Sequence, residues 1–534
     1  MSAMTTLLPT RVLYSTHEPV QIEIRGLHAP AVMELRRLGT LVASFPVDKD
    51  GVVNCGALDE GGYSVSMGAS RTAVQVTNTP HDVHRYGFVV DYSPGRDLAV
   101  VSDNLRRLHL TDVQFYDWAY RHADLVGGGE TYDDALGQPV SLGTVRALIN
   151  TCHEVGSRAL GYAAVYAIGP EEWPSWQHAA LVTATGHPYA LGDFLFILDP
   201  ALPEWREHFS DELERSVDQV GFDGFHLDQY GYPKRADRAD GERVDVAQSF
   251  RTLIESVRDR LPNSRLVFNN VNDFPTWITA TTRQDAVYIE VWKPQVELGH
   301  LAAVVDRARS VADGKPVVIA AYQHVYSQAE ADTADRAAAL TMATLFSHGA
   351  SHLLAGEADR ILVDPYYVRN HRIESSTADL LQRYYDFAVA HYEILFPAEI
   401  TDVTGSFAED YNDDIDVTYT NASVSSFATA GTVWRRVTED GRGRYMLHAI
   451  NLTGQVDTQW DAPRGPHENP GAGTLRIRRM GTVLPRIRYA DPDAQPDFVD
   501  IDVVLDGDFI TASVPAPLRW QVVLIDPYPE SKGE

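Results

Sequence analysis

The stretch GFDGFHLDQYG, residues 221–231, contains a short apolar segment that ends in an acidic residue, Asp228. A helical pattern precedes it, in which large apolar residues recur at every fourth position: Trp205, Phe209, Leu213 and Val217. Glycines at the ends of the stretch permit close packing of a buried strand against its neighbours. A helix followed by a short buried strand is one unit of a βα repeat, so this region predicts alternating helices and parallel strands.

The same alternation extends along the chain on both sides of this stretch. The other candidate strands are GFVVDY (87–92), DVQFYDW (112–118), ALGYAAVYA (159–167), RLVFNN (265–270), AVYIEVW (286–292), KPVVIAAY (315–322) and SHLLAGE (351–357). Together with the first stretch they give eight βα units, and we predict a TIM barrel over residues 81–400. The alternative is a doubly wound open sheet, which needs a glycine-rich phosphate loop after its first strand. DYSPGR (91–96) is a weak match to such a loop.

The segments that flank the predicted barrel have an all-β pattern. Residues 1–80 contain short alternating runs separated by turn sequences such as DKDG (48–51) and EGG (60–62). Residues 401–534 show a similar pattern, interrupted by the Pro/Gly-rich segment DAPRGPHENPGAG (461–473). We therefore predict a multidomain protein with an N-terminal and a C-terminal β-sandwich around the barrel.

The composition is that of a globular protein with a strongly acidic surface. Among 534 residues, 74 Asp and Glu against 45 Lys and Arg give a net charge of −29. Such a surface repels phosphate backbones and anionic lipids, so neither nucleic acid nor a membrane is an expected partner. The 25 Tyr and 9 Trp residues suit a neutral ligand that stacks on flat apolar faces, although most aromatic residues of a globular protein lie in its core.

The N-terminus, the cysteines and the motif content argue against several further classes of protein and of binding site. Cys55 and Cys152 fall in different predicted domains, so neither a disulfide framework nor a thiolate zinc site is expected. The N-terminus has no basic start followed by an apolar core, and we expect a cytoplasmic protein. The sequence has no HEXXH, GXGXXG or P-loop motif, and SHGASH (347–352) is a weak metal-binding pattern. We therefore predict no metal and no cofactor.

A barrel enzyme carries its catalytic residues at the carboxyl ends of its strands. Nearly every predicted strand ends in a hydrogen-bonding side chain, and these are Asp91, Asp117, Tyr166, Asp228, Asn269 or Asn270, Glu290, Tyr322 or Gln323, and Glu357. Strands also end in polar residues because they reach solvent, so one such residue alone decides little. A complete polar ring, however, needs a polar ligand to satisfy it.

Two carboxylates of this ring, Asp228 and Glu290, stand in contexts that favour catalysis. Hydrolysis of a glycosidic bond with retention requires a carboxylate nucleophile and a second carboxyl group that protonates the departing oxygen. The apolar neighbours of Glu290 are expected to raise its pKa, as an acid catalyst at neutral pH requires. The alternatives are a helix N-cap for Asp228 and a salt bridge within the barrel for Glu290.

Asp117 and several aromatic residues are candidates for binding a sugar. Asp117 lies in FYDWAYRH (115–122), close in sequence to His122. A structural ion pair with Arg121 would explain an aspartate at this position equally well. The candidate stacking residues are Trp118, Tyr230, Trp292 and Tyr322. An aromatic residue of this kind more often packs in the protein core than forms a surface on which a sugar stacks.

With these residues in place, the chain resembles glycoside hydrolase family 66, the dextranases and cycloisomaltooligosaccharide glucanotransferases. The resemblance rests on GFVVDYSPG (87–95), DVQFYDWAYRH (112–122), GYAAVYA (161–167), GFDGFHLDQYG (221–231), YIEVW (288–292) and HLLAGE (352–357). These motifs occur in the family's order and cover the barrel. The resemblance implies an immunoglobulin-like fold for the N-terminal sandwich.

The resemblance also implies a retaining hydrolase that cleaves α-1,6-linked glucans internally, dextran or isomalto-oligosaccharides. It implies that Asp228 is the nucleophile and Glu290 the acid/base. The residues expected to bind substrate are Asp91, Asp117, Trp118, His122, Tyr166, His226, Gln229, Tyr230, Asn270, Trp292, Tyr322 and Glu357. The alternatives are a glucanotransferase that uses the same site and a non-catalytic glycan-binding protein.

Two departures from the family refine this expectation. Many members are secreted, and the lack of a visible leader favours imported isomalto-oligosaccharides over polymeric dextran. Cyclising members carry a carbohydrate-binding module within the barrel, whereas the roughly thirty residues between the last two predicted strands are too few to fold as one. Hydrolysis is therefore favoured over cyclisation.

Overall fold

A sheet of eight parallel strands forms the centre of the computed structural model, which describes residues 5–408, 412–479 and 481–527. The strands are β1 (Tyr86–Val89), β2 (Asp112–Phe115), β3 (Arg158–Ala164), β4 (Gly224–Asp228), β5 (Arg265–Asn269), β6 (Ala286–Glu290), β7 (Val317–Ala320) and β8 (Ala350–His352). Each strand pairs in parallel with the next along the chain. The predicted barrel is therefore confirmed, and an open doubly wound sheet, whose strand order would reverse, is excluded.

The barrel closes where the segment after β8 runs beside β1. A Cβ atom on Gly356 would lie 2.1 Å from the backbone oxygen of Phe88, so this approach requires glycine. The carboxylate of Glu357 then accepts hydrogen bonds from the backbone nitrogens of Val90 at 2.9 Å and Asp91 at 3.3 Å. Glu357 therefore fastens the seam between the first and last strands.

Seven helices connect the strands, and an eighth follows β8; together they surround the barrel. They are α1 (Leu98–Arg107), α2 (Leu142–Val155), α3 (Pro203–Val220), α4 (Val246–Arg260), α5 (Thr276–Thr279), α6 (Leu298–Ala312), α7 (Ala331–Ser347) and α8 (Ser375–Ala390). Helix α3 begins with Pro203, and Gly221 at its carboxyl end has a φ of 101°. Across the described ranges, no helix combines the length and apolar character that a membrane crossing requires.

Two antiparallel sheets form the N-terminal sandwich. One sheet contains Thr6–Pro9, Val20–Arg25 and Gly51–Gly56, and the other contains Thr40–Val47, Ala31–Arg37, Gly61–Met67 and Ser70–Val76. Alternate residues of Val20–Arg25 are buried, which is the period of a strand with one face on the core. Cys55 and Cys152 are both free thiols.

The C-terminal sandwich packs against the barrel through its larger sheet. That sheet contains Ile400–Asp402, Val424–Ser425, Val433–Asp440, Tyr445–Asn451, Trp520–Asp526, Arg486–Asp491 and Gln495–Asp500. The smaller sheet contains Ile415–Tyr419, Gly473–Arg478, Phe509–Val514 and Val503–Asp506. The fully buried Trp520 ring lies 5.1 Å from the Phe387 ring of α8, so barrel and sandwich share one apolar core.

Short elements in the connections complete the structure, and most follow the carboxyl ends of the barrel strands. The short strands are Thr131–Asp133, Pro139–Ser141, Ala167–Ile168, Leu181–Val182, Ala190–Leu191, Leu195–Ile197, Arg235–Arg238, Arg243–Asp245, Arg360–Ile361 and His371–Arg372. The short helices are Trp173–Trp176, Tyr392–Leu395 and Thr404–Phe407, with 3₁₀ turns at Pro80–Asp82, Gln177–Ala179, Val271–Asp273, His324–Ser327 and Tyr367–Arg369. The insertions after β2, β3 and β8 contribute residues to a cavity at the carboxyl end of the barrel.

Candidate active site

A cavity of about 230 Å³ opens at the carboxyl end of the barrel. This is the end at which TIM-barrel enzymes bind their substrates. Of the residues predicted for the site, those that line the cavity are Asp117, His122, His226, Asp228, Gln229, Tyr230, Glu290, Trp292 and Tyr322. The lining of the cavity therefore combines polar and aromatic side chains.

A larger cavity of about 620 Å³ lies at the opposite end of the barrel, between the barrel and both sandwiches. Several of its charged side chains already have partners within the protein: Arg37 pairs with Glu393 at 2.6 Å, and Arg309 donates to backbone carbonyls. The carboxylates of Asp228 and Glu290 lie in the smaller cavity, at the other end of the barrel. We therefore assign the active site to the smaller cavity.

One amide group bridges the two central carboxylates. The side-chain nitrogen of Asn269, the last residue of β5, donates to Asp228 Oδ1 at 2.7 Å and to Glu290 Oε2 at 2.8 Å. The three residues end the neighbouring strands β4, β5 and β6. Asn269 pairs with Tyr288, two residues before Glu290, so the side chains of Asn269 and Glu290 point to the same face of the sheet. The parallel sheet itself therefore brings two acids that are distant in sequence to the same point.

Burial governs the protonation of both acids. Removal from water raises the pKa of Asp228, while hydrogen bonds from Asn269, Tyr162 and the backbone oppose the rise. Burial likewise raises the pKa of Glu290, and the nearby charge of Asp228 raises it further. Two carboxyl groups this close ionise as a coupled pair, so the site favours one charged and one protonated group.

Tyrosine residues surround the pair. Tyr162 donates its hydroxyl hydrogen to Asp228 Oδ2 at 2.7 Å, which leaves both oxygens of that carboxylate hydrogen-bonded. The rings of Tyr116 and Tyr367 stack at 4.3 Å, and the Trp292 and Tyr322 rings meet edge to face at 5.9 Å. These rings give the cavity flat apolar faces of the kind on which a sugar stacks.

Asp117 is a buried carboxyl group without a cationic partner. Burial, followed by the charges of Asp134 and Asp228, raises its pKa well above the usual range. Its φ of 44° is a left-handed backbone conformation that is unfavourable for a non-glycine residue. The alternative ion pair with Arg121 does not form, because that guanidinium pairs with Glu171 at 3.1 Å. Burial therefore favours the protonated form of Asp117, which can donate a hydrogen bond.

Three of the other lining residues have contrasting surroundings. His122 is buried, which lowers its pKa to about 4, so its imidazole is neutral in the folded protein. Burial also lowers the pKa of His226 to about 3, and its Nδ1 lies 2.9 Å from the Tyr86 hydroxyl. Gln229 donates to the backbone oxygens of Asn269 and Phe274, both at 3.1 Å. His226 and Gln229 thus support the walls, while His122 has a neutral ring at the cavity.

Five residues predicted to contact substrate lie outside the cavity lining, and three of them donate hydrogen bonds to backbone oxygens. The Trp118 indole is fully buried and donates to the Tyr162 backbone oxygen at 3.2 Å. The Tyr166 hydroxyl donates to the Tyr232 backbone oxygen at 2.7 Å. Asn270 donates to the Tyr288 backbone oxygen at 2.9 Å. Side chains alternate along a strand, so Asn269, and not Asn270, points toward the carboxylates.

Asp91 and Glu357 are the other two predicted substrate-binding residues that lie outside the cavity lining. Asp91 is exposed and accepts a hydrogen bond from the Ser93 backbone nitrogen at 3.0 Å, as turn residues commonly do. Glu357 is buried at the seam and pairs with Arg96 at 2.7 Å. Neither residue lines the cavity, and Glu357 is explained by barrel closure.

The cavity also has walls that the sequence prediction omitted. The most consequential are Gln114, Tyr116, Tyr162, Tyr288 and Tyr367, with Leu136, Leu191, Phe194 and Tyr366 from the connecting loops. Tyr162 was detectable in principle, because it lies two residues before the β3 position that pairs with Asp228. The loop residues carry no periodic signal. Among the described residues, no group of three or more His, Cys, Asp or Glu side chains has an arrangement that could hold a metal ion.

The sequence was compared with protein families and with characterised proteins. The model of glycosyl hydrolase family 66 matches residues 52–524. A cycloisomaltooligosaccharide glucanotransferase of Niallia circulans is 24% identical over 324 residues, which cover 55% of this chain and 33% of the relative. A dextranase of Streptococcus salivarius is 24% identical over 384 residues, which cover 61% of this chain and 45% of the relative. The matches thus span a third to just under half of these relatives.

Solved structures resemble the whole fold. The crystal structure of a Paenibacillus sp. cycloisomaltooligosaccharide glucanotransferase complexed with cycloisomaltoheptaose matches with a TM-score of 0.86 and 18% identity, covering 98% of this chain and 100% of the other. The α-amylase of Geobacillus thermoleovorans complexed with acarbose matches with a TM-score of 0.54 and 12% identity, covering 86% of this chain and 100% of the other. At these identities the likeness concerns the arrangement of barrel and β-domains.

Proposed function

The chain belongs to glycosyl hydrolase family 66, and on that premise we propose that it hydrolyses α-1,6-glucosidic linkages within dextran or isomalto-oligosaccharides, with retention of anomeric configuration. One observation carries this proposal: Asp228 and Glu290 share the side-chain nitrogen of Asn269 as their hydrogen-bond donor. The roles of the individual residues follow from that contact.

The shared donor limits the separation of the two carboxyl groups. Because the bonds are 2.7 and 2.8 Å long, the two accepting oxygens are at most about 5.5 Å apart. Retaining glycosidases need about 5–5.5 Å between the two groups, whereas inverting enzymes need roughly 6.5–9.5 Å to admit a water molecule. The geometry therefore supports a covalent mechanism over direct attack by water.

The two carboxyl groups differ in a way that suggests their roles. Asp228 accepts hydrogen bonds on both oxygens, which stabilises the charged form that a nucleophile requires. Burial and the Asp228 charge favour the protonated form of Glu290, which suits donation of a proton to the departing oxygen. We assign Asp228 as nucleophile and Glu290 as acid/base. Once the first product leaves, Glu290 as a carboxylate deprotonates the water that attacks the glycosyl–enzyme.

The lining of the cavity and the relatives together suggest the substrate. The net charge of −29 and the aromatic walls favour a neutral ligand, and sugars stack on such rings. The names of the characterised relatives refer to dextran and to cyclic isomalto-oligosaccharides. We extend that substrate class to this chain, with Asp117, His122, Tyr230, Trp292 and Tyr322 as the residues that contact the sugar.

A glucanotransferase reaction on the same site is the second candidate. Two of the relatives are named as glucanotransferases, and both reactions pass through the same covalent intermediate. The reactions differ in the acceptor that replaces the leaving group. Products longer than the substrate at early times would favour this candidate.

A panel of glucans with different linkages tests the proposal. The purified protein is incubated with dextran, long isomalto-oligosaccharides and an α-1,4-glucan, with Asp228→Asn as the matched inactive control. We expect mid-length products from the α-1,6 substrates and none from the control. Binding of these glucans without turnover by the parent protein would instead identify a glycan-binding protein.

A further inference from the structure

A long connection of the C-terminal sandwich leaves its two sheets and reaches the barrel. Residues 452–472 join the strands Tyr445–Asn451 and Gly473–Arg478, and they include most of the Pro/Gly-rich segment 461–473. All of these residues lie in the described part of the chain, and they contain no helix and no strand. Most connections in compact domains have roughly 4–6 residues, and long ones without regular structure usually serve a function. The connection is therefore a candidate functional segment.

Residues 457–464 of this connection, which we call the arm, lie along the loop after β6 (residues 291–297). The two segments are joined by backbone hydrogen bonds, from Trp460 N to Val296 O at 3.2 Å and from Leu298 N to Thr458 O at 2.8 Å. Glu297 and Gln459 form an antiparallel β-bridge. Because the arm pairs with the loop in this way, it satisfies backbone groups of the loop and fixes its path.

The indole of Trp460 adds a side-chain bond to the same loop. Its Nε1 donates to the Gln295 backbone oxygen at 2.7 Å, and the residue is buried. The Gln295 nitrogen in turn donates to the Trp292 backbone oxygen at 2.8 Å. The arm thus holds the turn that carries Trp292, which lines the catalytic cavity and follows Glu290 by two residues.

The arm also holds the segment after β7. Asp461 Oδ1 accepts a hydrogen bond from the Val325 backbone nitrogen at 2.8 Å, in the 3₁₀ turn that follows this strand. Tyr322, three residues before Val325, lines the catalytic cavity. The indole and the neighbouring carboxylate of the arm therefore hold the two loops that carry Trp292 and Tyr322.

Both of these loops supply a hydrogen-bond donor to the proposed acid/base. Burial, followed by the charge of Asp228, raises the pKa of Glu290. Hydrogen bonds from Asn269, Tyr322 and Trp292 oppose this rise. Asn269 belongs to the barrel strand β5, whereas the other two donors stand on loops that the arm contacts. The arm therefore bears on two of the three side chains that favour the charged form of the acid.

The far end of the arm is anchored on helix α7. The Arg464 backbone nitrogen donates to the Thr333 oxygen at 3.2 Å, and Arg336 Nη1 donates to the Arg464 oxygen at 3.0 Å. Arg464 is buried, and its Nη1 donates to the backbone oxygen of Asp457, at the other end of the arm, over 2.9 Å. The two ends of the arm are thus joined, and the arm keeps its shape while it holds the loops.

We propose that the arm is a positioning element of the active site, in which Trp460 and Asp461 keep two hydrogen-bond donors in place beside Glu290 and thereby tune proton transfer by this residue. Neither arm residue lines the cavity, so both act through the loops that they hold. This role rests on the proposed α-1,6-glucanase function and deepens it, because it makes the C-terminal sandwich a part of the catalytic apparatus.

Two variants loosen one loop each. Trp460→Phe removes the indole N–H and keeps an aromatic ring, whereas Asp461→Ala removes the acceptor of the Val325 nitrogen. Weaker hydrogen bonds to Glu290 leave its pKa higher, so the basic limb of kcat/KM should move to higher pH by about half a unit. The acidic limb should stay in place. At its optimum, kcat on isomalto-oligosaccharides should fall about threefold to tenfold.

Matched variants separate this role from a general effect on the fold. Trp434 is also a buried indole of the C-terminal sandwich, and its Nε1 donates to the Ser426 backbone oxygen at 3.2 Å, away from the two loops. Trp434→Phe should therefore keep the parent pH profile. Asp461→Asn retains an accepting oxygen and should restore most of the activity lost in Asp461→Ala. Thermal melting shows whether each variant is folded.

Hydrogen–deuterium exchange measures the hold of the arm without any substrate. Peptides that cover residues 291–297 should exchange faster in Trp460→Phe, and those that cover residues 323–328 should exchange faster in Asp461→Ala, whereas Trp434→Phe should leave both unchanged. Unchanged exchange of both loops overturns the proposal, and so does a basic limb that stays in place in both arm variants. A parent protein that cleaves no α-1,6-glucan would refute the proposed function, while faster loop exchange would still support the hold of the arm.

Discussion

The carboxylates of Asp228 and Glu290 accept hydrogen bonds from one and the same nitrogen atom. That nitrogen belongs to Asn269, and its two bonds lower the pKa of both acids, against the effect of burial. Tyr162 donates to Asp228 alone. The two donors therefore act differently on the pair, and their removal gives distinguishable pH profiles.

Tyr162→Phe should move only one limb of the pH profile of kcat/KM. Loss of its hydrogen bond raises the pKa of Asp228, so the acidic limb of kcat/KM, which we assign to ionisation of this proposed nucleophile, should move to higher pH by about one unit. The basic limb, set by Glu290, should stay in place. Asn269→Ala should move both limbs upward and lower kcat by about tenfold to a hundredfold, since both acids lose a donor that positions them.

Measurement of kcat/KM against pH for the parent and both variants provides the check. Thermal melting of each variant confirms that the fold survives the change. Movement of the basic limb by Tyr162→Phe, or an unchanged profile in Asn269→Ala, would show that the limbs belong to other groups.

Glu290→Gln should show a strong dependence on the leaving group. With isomalto-oligosaccharides, kcat/KM should fall about 10²- to 10⁴-fold, because the departing oxygen must be protonated. Formation of the glycosyl–enzyme from a glycosyl fluoride should fall much less. Asp228→Asn, by contrast, should be inactive on both substrates. Equal losses for Glu290→Gln on the two donors would place the acid elsewhere.

Asp117→Asn should change how stability depends on pH. The pKa of Asp117 is raised on folding, so its contribution to stability is present below the pKa of the unfolded chain and is lost as pH rises toward the folded value. The parent should lose about 1.4 kcal/mol per pH unit across that window. Asn lacks this titration, so the melting temperature of Asp117→Asn should rise relative to the parent from about pH 4 upward.

Asp133→Asn is the matched control, since Asp133 is exposed in the same loop. Its melting curves should follow those of the parent. A pH-independent difference between Asp117→Asn and the parent would mean that Asp117 is charged in the folded protein.

Glu357→Ala should destabilise the barrel without removing the catalytic groups. Arg96 and Glu357 pair at 2.7 Å with side chains only 9% and 6% exposed, so loss of one partner leaves a buried charge and costs about 3–5 kcal/mol. Denaturant unfolding measures the change. Glu171→Ala, which removes an ion pair whose carboxylate is 72% exposed, should cost about 0.5 kcal/mol or less. Equal effects of the two variants would contradict a role of Glu357 in barrel closure.

The barrel could be predicted from the sequence because its strands are buried on both faces. Such strands are short apolar runs, and the runs that begin at residues 112, 265 and 286 begin as strands at the same residues in the structure. Closure was less visible, since it depends on Gly356 lying beside Phe88 rather than on a periodic pattern. The sequence therefore left Glu357 among the candidate binding residues.

The site was only partly predictable, for two physical reasons. Asp228 and Glu290 end their strands, and strand ends can be located from the end of an apolar run. The choice between Asn269 and Asn270 depends on which neighbour points inward, and a one-residue difference reverses the direction. Phe194 and Tyr366 come from connecting loops, whose path is set by tertiary contacts.

The anomeric configuration of the first product tests the central claim most directly. Proton NMR follows the anomeric signals of the new reducing ends while the protein cleaves an isomalto-oligosaccharide, before mutarotation equilibrates them. The shared donor at Asn269 predicts that the α-anomer appears first, because two displacements through Asp228 restore the original configuration. Initial release of the β-anomer would contradict the account.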